Sequence, residues 1–179
     1  MSKQTNAMLP MSSRFLFTLL PALIVGMLFS SGCIEAPVVP EPKVNTEAEN
    51  ITAFTATMEK HLAAISTKNL DSLASTMSPE GDMQLMLGGM ETIVSVDSFM
   101  SFHETWFREP NWTFDTEILN IEVGERVGMA IVESMYREPE RDGKPYFNRM
   151  TISYVLRKIN NKWYVIKDHA TSVEKSTDS

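Results

Sequence analysis

The sequence predicts an α+β fold: a curved antiparallel sheet wrapped around N-terminal helices, leaving a cone-shaped cavity between them. Three observations predict it. Apolar residues recur at helical spacing early in the chain, at Ile51, Phe54, Met58, Leu62 and Ile65. Four long stretches rich in aromatic and β-branched residues follow one another towards the C-terminus. Short turn signals separate these stretches, so consecutive strands can pair as a meander, and helices first with strands last is the α+β pattern.

In chain order, Thr46-Glu47-Ala48-Glu49 has capping-box spacing and opens a first helix over about 47–67. Glu59, Lys60, His61 and Lys68 are read as its solvated side. Leu70, Leu73 and Met77 form a short second helix, stopped at Ser78-Pro79-Glu80-Gly81. A short strand over 83–87 is broken by Gly88-Gly89, and the apolar pair Ile93-Val94 follows. Ser95 caps a third helix, on which Val96, Phe99, Met100, His103, Trp106 and Phe107 share a face until Pro110 ends it. Strands are expected over 112–123, turning at Gly124-Glu125, and over 126–137, followed by a polar turn over 138–144. The last hairpin runs from Tyr146 to Thr171. Its turn is Ile159-Asn160-Asn161-Lys162, where asparagine suits the positive φ a tight hairpin needs. The tail over 174–179 is polar and expected to be disordered.

Ahead of the domain, Lys3 and Arg14 precede an apolar run from Phe15 to Phe29 that is shorter than the roughly 20 residues of a bilayer span. It matches a signal-peptide core over 1–32. Ser30-Ser31-Gly32-Cys33 resembles the lipobox of bacterial lipoproteins, although an aliphatic residue is usual where Ser30 stands. The resemblance implies cleavage before Cys33 and its lipidation with palmitate-like chains that hold the protein on the membrane. Ile34 after the cysteine implies sorting to the outer membrane, facing the periplasm. The Pro-rich segment up to residue 45 reads as an extended tether.

Charge narrows the function classes. The full chain carries a formal net charge of −7, and loss of residues 1–32 makes it −9. No basic stripe is present, which argues against a nucleic-acid partner. Cys33 is the single cysteine, so an internal disulfide or a multi-cysteine metal centre is excluded. Three unpaired histidines do not suggest a metal site, and no phosphate loop, nucleophile elbow or dinucleotide fingerprint points to a cofactor.

The domain resembles the SnoaL-like branch of the nuclear-transport-factor-2-like superfamily, which includes ketosteroid isomerase, polyketide cyclases and the association domain of calmodulin-dependent kinase. The resemblance covers about 47–173, within a domain bounded at 46–173. It rests on Leu156-Arg157-Lys158, the turn, Lys162-Trp163, and Val165 to Thr171. Relatives show a His-x-His in this strand; here Lys167 takes the first histidine's place and His169 matches the second. Asn161 stands where a turn glycine is usual. The resemblance implies a cone-shaped, cystatin-like fold, but one such fold hosts many functions.

Candidate site residues follow from residue type and position. His103 lies on the apolar face of the third helix, either as a pocket histidine able to exchange protons or as a core-edge histidine bonded to backbone. Simple alternation puts His169 on one strand face with Trp163, Val165 and Lys167, and the resemblance implies that this face meets the cavity mouth. Acid/base chemistry needs a carboxylate in an apolar cavity and a neutral donor opposite. Asp115, Asp168, Tyr136 and Tyr154 are of the right type, and spacing does not choose among them. Arg149, in an Arg-x-Thr with Thr151 that relatives also show, could bind an anionic ligand or pair across the sheet with Glu133. Trp106, Tyr154, Arg149 and Met100 are the candidate ligand contacts.

Three readings compete: a non-enzymatic, lipid-anchored periplasmic domain that binds a small apolar ligand or a protein partner, an isomerase- or cyclase-type enzyme, and an oligomerisation module that dimerises through its outer sheet face. The cavity lining separates them. A buried, unpaired Asp or His favours chemistry, an all-apolar lining favours binding, and a filled cavity with an apolar outer face favours assembly.

Overall fold

The structure, a computed structural model, describes residues 45–177. The expected signal segment 1–32, Cys33 and all but the last residue of the tether lie outside the described residues. The elements are α1 (Glu47–Ser66), α2 (Leu70–Ala74), β1 (Asp82–Leu87), β2 (Ile93–Ser95), α3 (Val96–Arg108), β3 (Thr113–Val123), β4 (Val127–Arg141), β5 (Lys144–Ile159) and β6 (Lys162–Lys175). This is an α+β fold with a curved, unclosed six-stranded sheet in the order β2-β1-β6-β5-β4-β3. Every neighbouring pair is antiparallel except β1 and β6, which run parallel.

The capping box forms as its spacing predicts. The Glu49 N–H donates to Thr46 Oγ1 and the Thr46 N–H donates to the Glu49 carboxylate, which satisfies two orphan donors of the first turn. From there Phe54, Met58, Leu62 and Ile65 pack α1 into the concave face of the sheet, against residues such as Val132, Ile152, Leu156 and Trp163. Phe54 meets Trp163 edge to face at 5.4 Å. Ile51 falls at the end of the stripe and is exposed.

His61 corrects the sequence reading. Its polarity predicts a solvated position, and the folded chain buries it fully. The reason is helical phase: His61 stands three residues after Met58 and four before Ile65, on the packed side of the helix.

The polar turn expected over 138–144 is instead a two-residue turn, Asp142-Gly143, at φ 54° and 81°. The strands extend because Glu138 pairs with Tyr146 and Arg141 with Lys144, and the register shift between those pairs accommodates Pro139. Asn160 and Asn161 adopt φ 47° and 66° in the β5–β6 turn, as a primed hairpin turn requires. α2 is shorter than expected, and Met77 bridges to Val165 instead of continuing it. The tail also departs from the reading. β6 runs to Lys175, and Ser176 exchanges hydrogen bonds with the Phe147 backbone.

One bulge decides which side chains reach the cavity. Leu156 pairs with Val165 but Val155 pairs with Lys167, so Ile166 is an extra residue in β6. A bulge of this kind shifts the alternation by one position. Trp163 and Val165 point into the core before it; Asp168 and Ala170 do so after it.

Candidate functional site

A cavity of about 660 Å³ opens between α3 and the concave side of β4, β5 and β6. Its deep wall is Ile65, Leu85, His103, Ile152, Tyr154 and Asp168, all buried. Its sides are largely aromatic, from Phe102 and Trp106 on α3 to Phe114 on β3 and Tyr136 on β4. Glu138, Arg141 and Tyr146 of the β4–β5 hairpin lie at its outer end.

Asp168 is the one carboxylate in the deep wall. It is 6% exposed, and its Oδ1 has no hydrogen-bond partner. Its neighbours across the sheet are Tyr154 on β5 and Leu85 on β1, so nothing beside it balances a negative charge. Burial therefore pushes its carboxyl up to about 7. Tyr154, 1% exposed, keeps its phenol protonated well above the usual range through burial and the neighbouring Asp168 charge.

His103 enters from α3. Its Nδ1 lies 2.9 Å from the Phe99 carbonyl oxygen, which can only accept, so Nδ1 carries the proton. At neutral pH its Nε2 is then an unprotonated acceptor. Burial among aromatic rings holds its pKa down to about 4, against the opposing pull of the Phe99 carbonyl. Behind the wall, His61 Nδ1 lies 2.8 Å from Thr76 Oγ1. The Thr76 hydroxyl already donates to the Leu73 carbonyl, so His61 is the donor, and its Nε2 is left without a partner. Burial, with some help from the nearby His103, lowers the His61 pKa to about 3. Both histidines are neutral at physiological pH.

The outer end of the cavity is tied together. The Tyr136 hydroxyl donates to Glu138 Oε1 at 2.6 Å, and Arg141 Nε donates to Glu138 Oε2 at 2.9 Å. The Arg141 guanidinium lies 3.5 Å from the centre of the Tyr146 ring. Arg141 accordingly holds the Glu138 carboxyl below its usual range, while burial, more than the bond to Glu138, raises Tyr136 to about 12.

The residues singled out from sequence separate into two groups. Asp168, His103, Tyr136, Trp106 and Tyr154 meet in the cavity. The others do not. The Ile166 bulge turns His169 to the outer face, where it is exposed. Asp115 is on the outer face of β3, ion-paired to Arg137. Arg149 bonds Glu133 at 3.2 Å and Glu174 at 3.4 Å, the cross-strand alternative of the sequence reading, and is no cavity contact. Met100 packs against the core from α3 without lining the cavity. The sequence reading missed the Glu138–Arg141–Tyr146 group; the signal was Asp142-Gly143, which makes a two-residue hairpin turn and keeps these residues in paired strands. Among the described residues, no cluster of His, Cys, Asp and Glu could hold a metal ion.

No curated protein matches the sequence. Among solved structures, the chain is similar to a ketosteroid isomerase-like protein from Erwinia carotovora atroseptica, at 15% identity and a TM-score of 0.61, covering 70% of this chain and 98% of that one. It is similar to the hexachlorocyclohexane dehydrochlorinase LinA-type3 from Novosphingobium barchaimii, at 13% identity and a TM-score of 0.61, covering 70% and 88%. A conserved protein from Planctomyces limnophilus matches at 13% identity and a TM-score of 0.59, covering 69% and 97%. At these identities the likeness is one of fold. In sequence, the model of the SnoaL-like domain matches residues 55–173, from the first half of α1 nearly to the end of β6. That match takes in both walls of the cavity, and the chain belongs to the SnoaL-like family.

Proposed function

We propose that the domain binds a small, largely apolar molecule in the cone cavity, with Asp168 taking its polar group. One observation carries the reading: a buried carboxylate oxygen without a partner, in a deep wall whose other members are Ile65, Leu85, Ile152, Tyr154 and the neutral His103. An orphaned buried acceptor costs roughly 1–3 kcal/mol, and a ligand donor would relieve it. The test is native mass spectrometry of the purified full chain beside Ala170→Trp, which places an indole inside the cavity. Wild type should carry a small molecule that the variant lacks. Equal occupancy of the two proteins, or wild type that is empty and also ignores both 4-phenylbutanol and 4-phenylbutylamine at millimolar concentration, would defeat the proposal.

A second reading adds chemistry to the binding. Asp168 titrates near neutral pH beside a protonated Tyr154 hydroxyl and the acceptor Nε2 of His103, a set suited to moving a proton on a bound molecule. Two of the similar folds carry names of isomerase-like and dehydrochlorinase proteins. Here Asp168 would take a proton from a C–H bond of the ligand and Tyr154 would donate a hydrogen bond to the charge that develops. Incubating the co-purified molecule with the protein in D₂O should introduce deuterium, about a hundredfold more slowly with Asp168→Asn. No exchange above the protein-free rate would leave the binding reading alone.

We propose further that Cys33 anchors the protein by lipid to the outer membrane, facing the periplasm. The support is the positive segment, the short apolar run and the small residues before the cysteine.

A further inference from the structure

We infer that the polar group taken by Asp168 is a protonated amine, so that the cavity's ligand is a small apolar ammonium compound. The inference rests on the binding reading above and names the ligand class. The Asp168 carboxylate can only accept when ionised, and its Oδ1 has no partner. His103 offers Nε2 as an acceptor because Nδ1 is committed to the Phe99 carbonyl. Tyr136 has given its hydroxyl hydrogen to Glu138 and accepts from the Trp106 indole, so it has no donor left for the cavity. Among these groups a ligand finds acceptors, and the Tyr154 hydroxyl is the donor in the deep wall. An ammonium group supplies three donors and no acceptor.

Charge points the same way. Beside Asp168 in the sheet lie the neutral Tyr154 of β5 and the apolar Leu85 of β1; α3 adds the neutral His103 and α1 the apolar Ile65 to the same wall, with the neutral His61 behind Tyr154. The charged groups near the outer end are Glu109, Glu138, Arg141 and Lys175. Arg141 is bound to Glu138 and covers the Tyr146 ring, and Lys175 is engaged as well. No cation of the deep wall is therefore available to a buried carboxylate, which is stable when ionised only if paired. The surrounding Trp106, Phe102 and Phe114 rings suit a positive group, since aromatic faces attract cations. A neutral alcohol would satisfy one lone pair and leave the charge unbalanced.

The experiment compares 4-phenylbutylamine with 4-phenylbutanol by calorimetry on the purified full chain. At pH 8 the amine should bind at least about tenfold tighter than the alcohol. Below pH 7 Asp168 must lose a proton before it can pair, so amine affinity should fall by up to tenfold per pH unit. About one proton should be released on binding at pH 6, read by repeating the titration in two buffers of different ionisation enthalpy. In Asp168→Asn the ratio of the two affinities should approach one. Four results would overturn the inference: the alcohol binding as tightly as the amine at pH 8, amine binding independent of pH, a preference that survives in Asp168→Asn, or no amine binding at millimolar concentration. The alcohol binding without the amine would leave the cavity reading intact and remove only the ammonium; neither binding would remove both.

Discussion

Replacing Asp168 by Asn should stabilise the domain, and by an amount that depends on pH in a defined way. The substitution keeps the side-chain shape and removes the charge. In the folded chain burial holds the Asp168 carboxyl at about 7, against a normal value of 3.8. Because the folded value lies above the unfolded one, folding favours the protonated acid. Stability from this group is complete below about pH 3.8 and is lost as pH rises through 7. At about 1.36 kcal/mol per unit, the stability lost through this group relative to pH below 3.8 is about 4 kcal/mol at pH 8 and about 2 kcal/mol at pH 5. The difference in unfolding free energy between variant and wild type should therefore grow by about 2–3 kcal/mol from pH 5 to pH 8. Urea unfolding followed by tryptophan fluorescence over that range measures it. The two histidines act in the opposite direction. Their folded values of about 3 and 4 lie below the normal 6.5, so their contribution is present above pH 6.5 and is lost on acidification. They cancel in the comparison, since both proteins keep them, while wild type itself should be most stable near pH 6.5–7. A difference constant to within about 0.5 kcal/mol between pH 5 and 8 would show that Asp168 titrates normally, and the buried-carboxylate account of the cavity would fail.

Three other outcomes follow from the packing and the sequence. Trp163, 3% exposed and set edge-on against Phe54, should cost about 3–5 kcal/mol on truncation to Ala; a loss below about 1 kcal/mol in urea unfolding would contradict its place in the core. Gly128→Ala would set a Cβ 2.7 Å from Phe54 Cε2 and 3.1 Å from the Glu122 carbonyl oxygen, which should destabilise by about 1–3 kcal/mol, with Phe54→Leu recovering part of the loss in the double variant. Cys33→Ala should move the protein out of the membrane fraction or leave an unprocessed precursor, and normal maturation and fractionation of the variant would refute the lipid anchor.

Local signals account for much of the architecture. The Thr46 capping box, the Phe54–Met58–Leu62–Ile65 stripe, the Ser95 cap and the Asn160-Asn161 turn each act over a few residues, so the sequence alone determines α1, α3 and the last hairpin. The order of helices and strands follows from the same periodicities, and with it the fold class. Tertiary structure decided what faces the cavity. An extra residue in β6 cannot be located from alternation, because Val165-Ile166-Lys167-Asp168-His169 reads equally well in either phase. Only pairing with β5 shows that Ile166 is the bulge, and that one residue exchanges His169 for Asp168 in the cavity. His61 was misplaced for a related reason: its polarity suggested solvent, while the packing of α1 against α2 and the sheet supplies Thr76 as a buried partner. Asp168 has its unusual carboxyl because Leu85 and Tyr154, distant in sequence, arrive on either side and bring no charge. Burial and the absence of a partner are properties of the assembled sheet, and they arise only when β1, β5 and β6 lie side by side.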